Sequence, residues 1–173
     1  MKDSAQRYGG ISRFFHWLMA AIVLFQFLKF FDRIDDGEHA VGVFIKPLHG
    51  SIGAVFLVLV ALRLLWVASQ SQRPAYQGAL AGMAKLGHRL LYLFMVLLPV
   101  TGLSRGLGRG NGIKVFGQQI VQGSGERTEW LVTLGSLHST VAWTLAVLVA
   151  GHIAMALYHH FIVKDDTLRR MAG

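Results

Sequence analysis

Four apolar runs, each long enough to cross a bilayer, decide what this chain can fold into. They cover residues 14–31, 48–68, 86–103 and 130–163, and each reaches the ~18–20 residues a helix needs to span the hydrocarbon core. In lipid every backbone N–H and C=O must be paired inside the protein, so runs of this length specify helices. The fourth, at ~1.5 Å per residue, is about 50 Å long and should project beyond the bilayer at one end. A leader peptide does not fit the first run, which exceeds the ~7–15 residues of a leader's apolar core and continues into FDRIDDGE without a small-residue cleavage site. The expectation is an all-α integral membrane four-helix bundle forming one domain over residues 1–173, with no internal repeat. The glycine-rich segment 104–129 is long enough to form a small cap over one face.

Composition removes the alternatives. Only 15% of residues are charged and 53% are hydrophobic, against ~25% charged in soluble domains, so neither a soluble globule nor a disordered chain fits. The chain has no cysteine, which excludes disulfides, iron–sulfur clusters, thiolate-bound metals, covalently attached haem and cysteine nucleophiles. Its formal charge of +8 comes from loops between apolar segments, a signature of topology and anionic headgroups rather than of nucleic acid. Four spans put both termini on one side, together with Lys2, Arg7, Arg13, Arg63, Arg73, Lys85, Arg89, Lys164, Arg169 and Arg170. The other side holds Lys29, Arg33, Lys46, Arg105, Arg109, Lys114 and Arg127 with the acids Asp32, Asp35, Asp36 and Glu38. The cation excess places the termini in the cytoplasm.

Histidines supply the reactive inventory, and their depths are the informative feature. His16 begins the first span near the cytoplasmic face, and His49 begins the second near the outer face. His138 lies near the outer start of the fourth. His152 follows fourteen residues later, ~21 Å along the axis and close to four turns, so the two share one helix face. Two bis-histidine sites follow, His49 with His138 outside and His16 with His152 inside. Iron in a porphyrin takes two axial imidazoles in this way, and bundles hold cofactors between facing helices. Gly50, Gly53, Gly135 and Gly151 cluster where a flat macrocycle needs room, although close helix packing uses small residues equally. The competing readings are interhelical hydrogen bonds and a bare metal site. Every acid lies outside the apolar runs, and His159 and His160 point ~100° apart on a helix.

His88 and His159 remain near the cytoplasmic side without an evident partner at their own depth. His159 continues the His152 stripe ~10 Å further out. An imidazole there can hydrogen-bond a quinone carbonyl and exchange protons, or can serve as a headgroup-level anchor. His39 and His160 read as loop and interface residues.

The segments FHW at 15–17, LHGSIG at 48–53, GHRLLYLFMVLLPVTGL at 87–103 and YHHFIVKDDTLRRM at 158–171, with RGN at 109–111, resemble the bacterial cytochrome b-561 family over nearly the whole chain. The likeness is strongest to its di-haem superoxide oxidases. It implies a four-helix inner-membrane protein with two haems b as cofactors, ligated by His16, His49, His138 and His152, and with His159 at the quinone end. It further implies transfer of electrons from superoxide, on the periplasmic side, to ubiquinone. In the outer loop Arg105, Arg109 and Lys114 have no neighbouring acid before Glu126, so they either attract superoxide or form a solvated basic loop. The family also contains haem b subunits that carry electrons for a dehydrogenase or hydrogenase. The short termini and single modest loop offer little docking surface, so no obligate protein partner is expected.

Overall fold

The apolar runs become helices in a computed structural model that describes residues 2–33, 38–72, 74 and 81–173. Helix α1 is Gly10–Phe27 and passes into a 3-10 turn, Leu28–Arg33; α2 is Ala40–Ser69 and α3 is Ala81–Gly108. A hairpin follows, β1 Ile113–Val115 and β2 Gln118–Val121, then α4 Glu129–Ser136, α5 His138–Tyr158, a π turn His159–Val163 and a short α6 Arg169–Ala172. Four segments are long and apolar enough to cross a membrane: Gly10–Asp32, Ala40–Ser69, Ala81–Gly108 and Glu129–Val163.

Boundaries differ from the sequence expectation where apolarity alone was followed. Helix α2 begins at Ala40 rather than 48 and runs through Pro47. His39, expected to be a plain loop residue, caps it: its Nδ1 accepts the Val41 N–H at 3.3 Å, which satisfies one of the orphan donors of a first turn. The fourth run is not one straight rod. It is interrupted at Leu137, between α4 and α5, and after Tyr158 it widens into the π turn and ends at Lys164 in the left-handed region. The expected loop residues Asp35, Asp36 and Arg73, and the side chain of Arg33, lie outside the described part. At the same end Lys29 pairs with Asp32.

Packing between helices gains little from the hydrophobic effect in lipid, so close contact and interhelical hydrogen bonds, ~0.6–2 kcal/mol each, carry the assembly. The bundle centre is apolar: Met19 and Val23 of α1 with Phe56 and Val60 of α2, against Met95 and Val96 of α3 and Val149 of α5. Polar ties sit above and below it. Gln26 Nε2 donates to the His49 carbonyl at 2.9 Å, Trp66 Nε1 to Ser12 Oγ at 2.9 Å, and Arg63 Nε to the Tyr92 hydroxyl at 2.9 Å. Together they join α1 to α2 at both ends of the bundle and α2 to α3 at the terminal end.

Each end is closed differently. At the terminal end the first residues meet the last: Tyr8 N–H donates to Arg170 O at 3.2 Å and Trp17 Nε1 to Met171 O at 3.3 Å. Asp3 N–H donates to Gln70 Oε1 at 3.1 Å, pinning the N-terminal segment to the end of α2. At the loop end, segment 104–129 contains an antiparallel hairpin, the one β element among the described residues. Its turn places Phe116 at φ 47° and Gly117 at φ 85°, the pair of positive φ angles that a two-residue turn between twisted strands demands. A phenylalanine there is strained, and its N–H is held by Ser51 Oγ at 2.9 Å. That bond lays the hairpin over α2 beside His49.

Candidate functional site

Helix α5 carries a histidine near each end, and each meets a ring from another helix. At the loop end the rings of His49 and His138 have centroids 5.9 Å apart, nearly perpendicular. At the terminal end His16 and His152 are 6.2 Å apart. Two imidazoles bound to opposite sides of one metal, at ~2 Å each with ~1.1 Å more to each ring centre, have centroids ~6.2 Å apart. Both pairs therefore fit a bis-imidazole metal centre.

The second contacts of these rings bear on the same question. His138 Nδ1–H donates to the Leu98 carbonyl at 3.0 Å, with Thr101 Oγ1 at 3.3 Å. A carbonyl can only accept, so this bond fixes the proton on Nδ1 and leaves Nε2 as a lone-pair donor, the usual arrangement for a metal-binding histidine. His49 differs: its Nδ1 is buried and has no hydrogen-bond partner among the described residues. An unsatisfied ring nitrogen in an apolar site is costly unless something absent from the protein chain fills the need. Among the described residues no group of three His, Asp or Glu side chains is arranged to hold a bare metal ion. A macrocycle that supplies its own equatorial ligands needs only two from the protein.

The glycines divide into two kinds. At Gly50 and Gly151 an added Cβ would meet nothing within 4 Å, and at Gly53 it would make an ordinary contact with Gln26. Gly50 and Gly151 are exposed, so neither is closed against a neighbouring helix. Gly135 was expected to leave room for a macrocycle, but an added Cβ there would lie 2.8 Å from the Arg105 Cα, so it serves close packing of α4 on α3. Gly102, missed in the sequence, is the glycine that matters at His138: a Cβ there would sit 3.0 Å from the imidazole Cε1.

His88 is not isolated at its own depth as expected. Its ring is 5.2 Å from His152, on the side of α3, and its Nδ1–H donates to the Ala84 carbonyl at 2.7 Å. Three histidines thus meet at the terminal end. The 5.2 Å spacing is too short for two ligands across one metal, whereas the 6.2 Å to His16 suits it. His159 stands apart from them in the π turn, where its Nδ1–H donates to Asp165 Oδ2 at 2.6 Å. Burial pushes the Asp165 carboxyl up, but bonds from Thr167 and His159 outweigh it and hold the carboxyl down to about 2. His160 lies beside Phe161, and with Lys164, Asp165 and Arg169 they line a cavity of about 280 Å³.

Of the basic loop residues, Arg105 lies exposed in the last turn of α3, and Arg109 and Lys114 are exposed around the hairpin. Among the described residues none of the three forms an ion pair. Arg127, by contrast, is paired with Glu129 at 2.6 Å.

A family model described as prokaryotic cytochrome b561 matches residues 7–173. The chain is 35% identical to "Cytochrome b561 homolog 2" of Escherichia coli (strain K12), over 99% of this chain and 94% of that protein. It is 26% identical to "Probable superoxide oxidase CybB" of Yersinia pestis, over 96% of each. With "Cytochrome b562" of Cereibacter sphaeroides it shares 28% identity, over 90% of this chain and 89% of the other.

Proposed function

The chain belongs to the prokaryotic cytochrome b561 family, multi-pass bacterial membrane proteins that transfer electrons through haem b, and we propose that it oxidises superoxide at its loop end and reduces ubiquinone at its terminal end. Two haems b serve it, one held by His49 and His138, the other by His16 and His152. The termini face the cytoplasm and the hairpin the periplasm, across the inner membrane. The observation that carries this reading is the pair of ring spacings, 5.9 and 6.2 Å, at opposite ends of α5. When bound, each haem supplies a one-electron carrier.

The protein's own groups do the rest. The Leu98 carbonyl orients His138, and the hairpin anchored on Ser51 covers that end. Arg105, Arg109 and Lys114 carry unpaired positive charge around it and raise the local concentration of a small anion. Superoxide leaves one electron there and departs as oxygen. Two such events supply the two electrons that ubiquinol requires, and its two protons come from the cytoplasmic side. At that end His159 Nδ1–H donates to Asp165 Oδ2, which orients the ring. Nε2, protonated in the imidazolium form, donates to a quinone oxygen and passes it that proton. His88 and His152 lie toward the bundle from it.

Rapid mixing of the oxidised, quinone-free protein with superoxide tests the reading. Haem reduction faster than spontaneous dismutation, followed by reoxidation on adding a short-chain ubiquinone, is the expected result. Haems that stay oxidised while superoxide decays at its own rate would overturn the donor assignment. Stoichiometric co-purification of a soluble dehydrogenase would instead favour an electron-carrying subunit.

A further inference from the structure

Arg63 is a charged residue inside a membrane-spanning helix, and the electron-transfer scheme above gives it no task. It lies fourteen residues after His49 on α2, the same interval that separates His138 from His152 on α5. Fourteen residues are close to four turns, so Arg63 shares the His49 face and sits ~21 Å deeper, at the level of His152.

The residue is held in place from α3. Arg63 Nε donates to the Tyr92 hydroxyl at 2.9 Å, and the guanidinium carbon lies 5.6 Å from the Tyr92 ring centre. Tyr92 is one turn beyond His88 on the same face of α3, so it lies deeper in the bundle than His88 does. A side chain reaching for lipid headgroups would be drawn the other way. The terminal-end site is therefore bounded on four sides: His16 from α1, Arg63 from α2, His88 and Tyr92 from α3, and His152 from α5.

An arginine cannot shed its proton, and a charge in this setting needs an opposite one. No Asp or Glu pairs with it among the described residues. Bonding through Nε leaves the two terminal amino groups of the fork, the planar array that matches a carboxylate. Protohaem carries two carboxylates on its rim, beside the metal that two histidines hold. We propose that Arg63, braced by Tyr92, binds a propionate carboxylate of the haem lodged between His16 and His152. This rests on the reading that a haem occupies that site, and a protein without a Soret band would defeat that reading before it touched this one.

Redox titration and resonance Raman spectra of the purified holoprotein test it, with the two haems told apart by His138→Ala and His152→Ala. Arg63→Gln should lower the reduction equilibrium of the terminal-end haem about tenfold, 59 mV for one electron, and leave the loop-end haem unchanged. The propionate bending band should shift in the same variant. Arg63→Lys should restore most of the potential, and Tyr92→Phe should shift the band by a smaller amount. Loss of the terminal-end haem in Arg63→Gln, with retention in Arg63→Lys, also counts for the proposal. If Arg63→Gln does not accumulate, Tyr92→Phe carries the test, and an unshifted band in it overturns the proposal. Unchanged potential and band in Arg63→Gln do the same. So does a lowered potential with an unmoved band, which would make Arg63 a nearby charge that binds no propionate.

Discussion

The Nδ1 of His138, on α5, lies 3.0 Å from the backbone carbonyl of Leu98, on α3. That bond ties a histidine's tautomer to the position of a neighbouring helix, and the next turn of α3 sets the ring's clearance. An added methyl at Gly102 would stand 3.0 Å from His138 Cε1 and 3.2 Å from its Nδ1, closer than ordinary packing permits. Gly102→Ala should therefore push the imidazole aside and lower occupancy of the loop-end haem, while the terminal-end haem stays. Thr101→Val keeps the volume and the Leu98 bond, so its effect on haem affinity should not exceed ~10-fold, the low end for outer contacts of a metal ligand. Pyridine haemochrome assays and spectra of the surviving haem check both.

His88 offers a sharper test of the terminal-end pairing. Its ring is closer to His152 than His16 is, at 5.2 against 6.2 Å, yet only the longer spacing suits two ligands of one metal. His88→Leu should keep both haems and a low-spin bis-imidazole spectrum. His16→Ala should lose the terminal-end haem despite His88. Loss of that haem in His88→Leu, with retention in His16→Ala, would exchange their roles.

Much of the fold is legible in the sequence. Four helices follow from four apolar runs, and the fourteen-residue interval on α5 puts two histidines on one face at two depths. Harder to read were features that depend on neighbours across the bundle. His88 and His152 are far apart in sequence, so only packing brings their rings together. Gly135 and Gly102 look alike as residues, yet one faces the Arg105 backbone and the other an imidazole. His39 reads as a loop residue because the apolar run begins only after Pro47, and the helix that it caps begins earlier. The hairpin was hidden for a different reason: its strands are three and four residues long, too short for alternation to register.

The hydrogen bond from His159 Nδ1–H to Asp165 leads to a third expectation. His159→Leu should keep both haems and leave their reduction by the outer donor unchanged, but slow reoxidation by quinone by about one to three orders of magnitude. Asp165→Asn should slow it about tenfold, by releasing the ring. The Asp165 carboxyl is held below its ordinary 3.8, at about 2. Its contribution to the tail is therefore complete above pH ~4 and lost as pH falls toward 2. Hydrogen exchange at the Thr167 amide, bonded to Asp165 Oδ1 at 2.8 Å, should accelerate across that interval in the wild type. In Asp165→Asn it should be fast at every pH.

A fourth expectation concerns the cations around the hairpin. Replacing Arg105, Arg109 and Lys114 together by glutamine should slow haem reduction by superoxide about tenfold at low salt. The gap should close as ionic strength rises, because screening weakens long-range attraction in the wild type. Reoxidation by quinone should be unaffected. Equal donor rates at low salt would make the three residues an ordinary solvated surface.

The central claim is that α5 holds a separate haem near each end, and counting haems in two single variants tests it most directly. The wild type should bind two haems b per chain, and His138→Ala and His152→Ala should each bind one, with difference spectra that add to the wild-type spectrum. Two haems retained in either variant, or a wild type with one haem, would contradict the account.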